Sequence, residues 1–322
     1  MVCAPDARRT GRGKISMAGN ILAAVDIGSN AVRLLIRSIL DLGEEPALRQ
    51  TAYLRVPLRL GEDVFAGGRI SAEKEARIRD AMRGFAYLMR AYGVSRFSVC
   101  ATSAMRDAEN GPAIRAAVRE DCGFDINIIS GREEAEIVRD AVDFNGISGR
   151  KENRVYMDVG GGSTEVVAHA GGQSVFSGSF RLGAVRSLAG AAAGEDRAAF
   201  VREMEEIGRT YAPGALIAFG GNINKAQELL GKKKGEVLRP EELAALCAGL
   251  RNLNVKERMR RFGLNEHRAD VIVPALEIFL LLLESCPSLQ AIHVSRAGLA
   301  DGIIRRLCRT PGMGQPIEEA RI

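Results

Sequence analysis

The sequence predicts an α/β protein of two lobes with a cleft between them, and three observations carry that expectation. ILAAVDIGSNAVRLLIRSIL, residues 21 to 40, joins two β-prone apolar runs through the turn residues Gly28, Ser29 and Asn30, which reads as a hairpin. RVYMDVGGGSTEVVAHAGG, residues 154 to 172, repeats the design about one domain length later, with an aspartate again ahead of a glycine turn. Between and after the two copies, strand-like and helix-like segments alternate.

The intervening elements follow in order. SAEKEARIRDAMRGFAYLMRAYG (71 to 93) has helical spacing, RFSVCATSAMRDAENG (96 to 111) is a strand running into a loop, and GPAIRAAVREDCG (111 to 123) is again helical. After the second copy come a helix around Arg197 to Thr210, a strand in ALIAFGG (215 to 221) and a helix-rich C-terminal third. The longest apolar run, Ile278 to Leu283, is far short of the ~20 residues a bilayer span needs, so a buried helix is expected and no membrane partner.

A chain of 322 residues with 46% hydrophobic and 26% charged residues is long enough for two domains and excludes disordered and fibrous classes. The first twenty residues carry Arg8, Arg9, Arg12 and Lys14 against Asp6, and therefore most of the formal net charge of +5. They read as a disordered basic tail; no export signal is visible, and a cytoplasmic protein is expected. Six scattered cysteines without a CxxC pair read as reduced, buried fillers, and the three histidines share no metal-ligand spacing.

Three consecutive glycines, Gly160, Gly161 and Gly162, let successive backbone amides turn toward one point and approach a ligand closely, a concavity that suits phosphate. Ser163 and Thr164 add hydroxyl donors. Asp158 at the strand end and Glu165 are placed to hold a hydrated Mg²⁺, with Asp26 as the matching carboxylate of the first copy. Gly28, Ser29 and Asn30 form a second set of donors, so two facing loops can clamp a phosphate chain.

The segments DIGSNAVRLLI, ATSAMRDAENG, IISGREEAEIV, DVGGGSTEVV, GSFRLGAVRS and VSRAGLADGII occur in this order. Together they resemble the exopolyphosphatase and guanosine pentaphosphate phosphatase family, within the actin, sugar-kinase and heat-shock ATPase superfamily, over about residues 21 to 306. The resemblance implies two ribonuclease-H-like lobes, residues 21–135 and 136–322, the second with a helical C-terminal segment. It also implies Mg²⁺-dependent hydrolysis of a terminal phosphoanhydride, in the short form without an added C-terminal helical region. A homodimer is admitted among the partners without a residue pattern that demands it.

In IISGREEAEIV, Ser130 stands at a helix N-cap with Glu133 three residues on, a capping box that makes Glu133 structural. Adjacent helix residues point about 100° apart, so Glu134 faces elsewhere. The family's catalytic glutamate falls on Glu134, as general base for the attacking water. Arg106, beyond a strand end, is expected to bind phosphate oxygens, against an alternative surface ion pair with Asp107 or Glu109. Arg181 and Arg186 are weaker candidates farther along the substrate. GKKKG (231 to 235) and VKERMRRFG (255 to 263) extend a basic track or form solvated faces; without an interleaved aromatic, GKKKG does not indicate nucleic acid.

Two loops depart from the family pattern. Asn222 and Asn224 replace expected hydroxyl residues in AFGGNINKA, and Ala300 stands in GLADG where relatives commonly have arginine. The expected substrate is inorganic polyphosphate, preferentially short or medium chains, with guanosine pentaphosphate as the alternative. A superfamily kinase and a non-catalytic sensor of the alarmone or of polyphosphate are the competing classes.

Overall fold

The protein is described by a computed structural model covering residues 21–40, 47–142, 152–192, 194–310 and 312–320. The basic tail expected over residues 1 to 20 lies outside the described residues.

The first lobe begins with the strands β1 (Ile21–Ile27), β2 (Val32–Leu40) and β3 (Ala47–Val56). Helices α1 (Leu60–Gly67) and α2 (Ala72–Ala91), strand β4 (Arg96–Ala101), helices α3 (Ser103–Asp107) and α4 (Gly111–Cys122), strand β5 (Ile126–Ile128) and helix α5 (Gly131–Val142) follow. The second lobe opens with β6 (Arg154–Val159), β7 (Thr164–Ala170) and β8 (Gln173–Phe180), then α6 (Ala184–Leu188), α7 (Gly194–Tyr211), β9 (Ala215–Phe219) and α8 (Gly221–Leu229). It continues through α9 (Pro240–Arg251), α10 (Val255–Phe262), α11 (Glu266–Ala269), α12 (Ile272–Ser285) and β10 (Ala291–Val294); α13 (Leu299–Arg309) and β11 (Gln315–Pro316) close the chain.

The two sheets share a plan. β1, β2 and β3 form an antiparallel meander with β4 added parallel to β1. β6, β7 and β8 form a second meander with β9 added parallel to β6. β5 and β10 extend the parallel edges. The central strands β1 and β6 are almost wholly buried, because helices cover both faces of each sheet, and their sequences accordingly read as near-continuous apolar runs.

Each lobe has an outer core. In the first, Ile78, Met82, Phe85 and Met89 of α2 pack with Ile114 and Val118 of α4 over Val25 and Leu34. In the second, α12 is buried nearly all round, as the apolar run Ile278 to Leu283 requires. A third cluster joins the lobes: Leu22 and Leu35 from one sheet and Tyr156, Ile217 and Phe219 from the other close around Ala135 and Val138 of α5 and Ile303, Ile304 and Leu307 of α13. Gly302 makes this possible, since a Cβ there would lie 2.0 Å from the Ile137 carbonyl oxygen. Among the described residues no helix is long and apolar enough to cross a membrane.

Two expectations need correction. The C-terminal segment does not stay with the second lobe: β11 pairs with β4 of the first sheet, and α13 packs on β1, β2 and β4 as well as α5. Its apolar stripe covers the cleft face of the first sheet, which would otherwise remain exposed. The segment after β4 is not a plain loop, because residues 103 to 107 form the short helix α3.

Candidate active site

Both predicted turns meet at one cavity of about 190 Å³ between the lobes. In the first turn the β1–β2 ladder runs to the pair Ile27 and Val32, and Gly28 N–H donates to Ala31 O at 3.1 Å. The preceding pair is Asp26 with Arg33, an opposite-charge cross-strand pair that forms an ion pair beneath the turn. Segment 59–61 braces the turn from behind: Arg59 N–H donates to Asn30 O and Gly61 N–H to Ser29 O.

The second turn is held in the corresponding way, with Gly160 N–H donating to Ser163 O at 3.0 Å and Asp158 paired across the ladder with Glu165. The Gly160 carbonyl accepts from Ala184 N–H, and the Gly161 carbonyl from Val185 and Arg186 N–H. Arg186 Nε donates to Gly162 O at 2.7 Å. In a trans peptide the amide points opposite to its carbonyl, so the N–H groups of Gly161, Gly162 and Ser163 are directed away from α6. None of the three glycines has a left-handed φ. Their small size serves close approach instead: a Cβ on Gly161 would lie 3.0 Å from Ser29 Cβ, and one on Gly162 2.3 Å from Ser103 Oγ.

Asp26, Gly28, Ser29, Asn30, Glu134, Asp158, Gly160, Gly161, Ser163 and Glu165 all line the cavity. Gly162, Thr164 and Arg106 are outside its wall. Gly162 is consumed by packing against Ser103 and Phe65, and the fully buried Thr164 donates its hydroxyl to Leu182 O at 2.6 Å. Arg106 lies behind Glu134, donating to Ile129 O at 2.7 Å with its guanidinium 3.6 Å from the Glu134 carboxylate. Arg186 and Arg181 both turn to Asp107, at 2.6 and 3.3 Å, and line no part of the cavity. Arg186 is therefore a brace for the glycine turn, with its guanidinium stacked 3.9 Å over the Phe65 ring.

Ser130 Oγ accepts from Glu133 N–H at 3.2 Å at the start of α5. Glu133 is exposed, while Glu134, a helix step further round, is 9% exposed and enters the cavity wall. Burial and the neighbouring Glu165 raise its carboxyl well above the ordinary range, with Arg106 opposing. Burial, with Asp158 beside it, carries Glu165 up to about 7; burial, only partly offset by Arg33, carries Asp158 up to about 6.

Arginines from scattered positions complete the wall: Arg33, Arg55, Arg268 and Arg296, with Tyr53 on the same strand face as Arg55. Burial together with Arg33 and Arg268 lowers Arg55 to about 10, the mark of cations crowded without enough counter-charge. Only Arg33 had a readable signal, since the hairpin register sets it opposite Asp26. Arg55 and Arg268 lie in β3 and α11, and nothing local in the sequence points them at a turn far away. Asn222, Asn224 and Ala300, the departures in the two loops, are all in the wall; Asn222 Oδ1 accepts from Arg268 Nη1 at 2.9 Å.

Three side-chain oxygens at this cavity, Asn30 Oδ1, Glu134 Oε2 and Asn224 Oδ1, are buried without a hydrogen-bond partner. Such groups cost about 1–3 kcal/mol each unless something meets them. The donor set of Asp26, Glu134, Asp158 and Glu165 fits a hard divalent cation that takes oxygen ligands. Among the described residues no three acidic, histidine or cysteine side chains are arranged as a ready-made metal cage.

Residues 47–310 match the model of the Ppx/GppA phosphatase family. The chain is 36% identical over 160 residues to exopolyphosphatase 2 of Mycobacterium tuberculosis, a match covering 47% of this chain and 49% of that one. It is 25% identical over 313 residues to the guanosine-5'-triphosphate,3'-diphosphate pyrophosphatase of Aliivibrio fischeri, covering 92% of this chain and 60% of that protein. The chain thus spans about half the length of the first of these relatives and less than two thirds of the second. Among solved structures, an exopolyphosphatase from Cytophaga hutchinsonii superposes with a TM-score of 0.79 at 23% identity, covering 92% of this chain and 100% of that one. The Aquifex aeolicus member of the Ppx/GppA family superposes with a TM-score of 0.72 at 25% identity over 92% and 99% of the two chains. By the match of the family model across most of its length, this chain belongs to the Ppx/GppA phosphatase family.

Proposed function

We propose that this protein is a Mg²⁺-dependent phosphoanhydride hydrolase that removes the terminal orthophosphate from inorganic polyphosphate. The observation that carries the reading is the juxtaposition of two phosphate-sized turns with the buried Glu134, whose carboxylate is near Arg106 but whose Oε2 accepts no hydrogen bond among the described residues, in the wall of one small cavity. The amides of the two turns, with the Ser29 and Ser163 hydroxyls, seat the terminal phosphate. Arg33 and Arg55 supply positive charge to the rest of the chain.

Glu134 acts as general base. Its raised carboxyl matches proton removal from water near neutral pH better than an ordinary carboxylate would, because an efficient base has a pKa near the working pH. It takes the proton of the water that attacks phosphorus; the bond to the bridging oxygen breaks and the shortened chain leaves. Asp158 and Glu165, with Asp26, would hold Mg²⁺, which when bound offsets charge on the phosphate oxygens. Arg106 is a positioning residue that keeps the Glu134 carboxylate in the wall.

A second reading, guanosine pentaphosphate as substrate, is favoured by Tyr53, which is 50% exposed at the cavity and could support a base. Phosphate release measured side by side on polyphosphate and guanosine pentaphosphate, with and without Mg²⁺, tests both readings. Release from neither would overturn the hydrolase, and a far higher kcat/KM for the nucleotide than for every chain length would exchange the two.

A further inference from the structure

Each phosphate-sized turn is braced by an arginine whose side chain reaches the opposite lobe. Behind the first turn stands Arg59, whose N–H donates to Asn30 O at 3.0 Å. Its guanidinium, with the side chain only 11% exposed, reaches Asp270 of the second lobe, Nη2 to Oδ2 at 2.5 Å. Asp270 caps the end of α11, and the carbonyl of His267 in the same helix accepts from Asn30 Nδ2 at 3.4 Å, so the turn and its brace meet one element of the other lobe. Behind the second turn, Arg186 runs the opposite way. Its Nε donates to Gly162 O at 2.7 Å, and its Nη2 reaches Asp107 of the first lobe at 2.6 Å, with the side chain 4% exposed. Arg59 is also conformationally costly: a φ of 54° and ψ of 43° place a non-glycine residue in the left-handed region, which persists only where the surroundings over-determine it. Here the Asn30 carbonyl holds the N–H, Lys74 Nζ donates to the Arg59 carbonyl at 2.7 Å, and Glu62 and Asp270 hold the guanidinium. Of these partners only Asp270 belongs to the second lobe.

We propose that Arg59 with Asp270 and Arg186 with Asp107 form two reciprocal interlobe clasps, through which each lobe positions the other's phosphate turn, an inference that rests on the phosphoanhydride reading above. Parting the lobes separates both arginines from their carboxylates, and each arginine is one hydrogen bond away from a turn. Exposed ion pairs contribute little because solvent screens them, whereas both of these arginines are largely withdrawn from water. None of the four residues lines the cavity, so they are positioning residues that act through the turns. Weakening a clasp lowers the fraction of molecules with closed lobes, and apparent affinity falls in proportion to that fraction. Saturating substrate restores closure, so the cost is expected in KM and not in kcat.

The test uses Asp107→Asn and Asp270→Asn, alone and together, which keep size and remove charge. Glu277→Gln, which breaks the exposed pair of Arg251 and Glu277 inside the second lobe, is the control. Each single variant is expected to raise KM for tripolyphosphate about threefold with kcat within about twofold, and the double variant to raise KM by more than the product of the two, since both clasps draw on one closure equilibrium. Small-angle scattering of the ligand-free double variant should give a larger radius of gyration than the parent, and tripolyphosphate should return it to the parent value, which a misfolded chain would not do. An unchanged radius in the double variant, a loss carried by kcat with KM unaltered, or the same rise in KM in Glu277→Gln overturns the clasps. Calorimetric binding of tripolyphosphate in the Glu134→Gln background separates this inference from the reading beneath it. No binding to Glu134→Gln itself overturns the phosphate reading, whereas binding that the added Asp107→Asn and Asp270→Asn changes leave at full strength overturns the clasps alone.

Discussion

Glu134 Oε2 lies 3.6 Å from Nη1 of Arg106, and the hydrogen bond of that guanidinium goes instead to the Ile129 carbonyl at 2.7 Å. The carboxylate is held near a positive charge without a hydrogen bond to it, in a residue that lines the cavity.

Glu134→Gln keeps shape and removes the base. We expect kcat to fall by ~10²–10⁴ with phosphate-chain affinity retained, as for a group whose contribution is confined to the transition state. Glu133→Gln, at an exposed capping position, should remain active. Steady-state kinetics on the two variants checks this, and an inactive Glu133→Gln beside an active Glu134→Gln would refute the assignment.

The buried carboxylates also predict how stability depends on pH. Glu165, at about 7, and Asp158, at about 6, both hold protons in the folded chain at pH values where the unfolded chain has released them. Below about pH 4 the two states are protonated alike and the groups contribute nothing; between about 4 and 7 the unfolded chain binds fewer protons, so stability falls as pH rises. The depressed Asp63, Asp121 and Glu242 act below this window. Thermal melts in chelator should therefore give a lower Tm at pH 8 than at pH 5.5, Mg²⁺ should recover part of the loss at pH 8, and Glu165→Gln should flatten the slope. A Tm indifferent to pH and Mg²⁺ in this range would count against the cluster.

Gly162→Ala inserts a Cβ 2.3 Å from Ser103 Oγ and 2.5 Å from the Phe65 ring, at the point where the two lobes touch. Overpacking of this kind typically costs ~1–3 kcal/mol. We expect a lowered Tm together with weakened phosphate binding, because the turns must move apart. Gly171→Gln, where a side chain meets nothing within 4 Å but the backbone φ is +60°, should lower Tm without changing phosphate affinity, which separates loss of stability from loss of the site.

Arg55→Ala removes a cation that has no ion-pair partner among the described residues and is crowded by Arg33 and Arg268. The folded protein should be little affected or slightly stabilised, while KM for polyphosphate rises several-fold with a smaller change in kcat. Denaturation and kinetics together decide it: a large loss of stability would identify Arg55 as a structural residue instead.

Local pattern made a definable part of this protein legible. Apolar runs broken by Asp-x-Gly turns are properties of contiguous residues, so both hairpins could be read, and with them Asp26, Gly28, Asp158 and Glu165 at the cavity. The capping serine at 130 set the phase of α5, and that phase alone separates the exposed Glu133 from the buried Glu134. What failed has a common cause. Thr164 and Gly162 sit in the same motif as Ser163, but alternation along β7 and the approach of Phe65 and Leu182 turn them into packing, and no neighbour in the sequence reveals either contact. Arg186 was drawn away to Asp107 and the glycine turn, while Arg55 and Arg268 were brought in from β3 and α11. The return of α13 and β11 to the first sheet was equally hidden. The sequence by itself determined the two turns, their carboxylates and the helix phase, because these follow from dihedral preference and periodicity. Only the tertiary structure decided which arginines line the cavity, because that depends on closing one lobe against another, where long-range burial and charge outweigh anything encoded between adjacent residues.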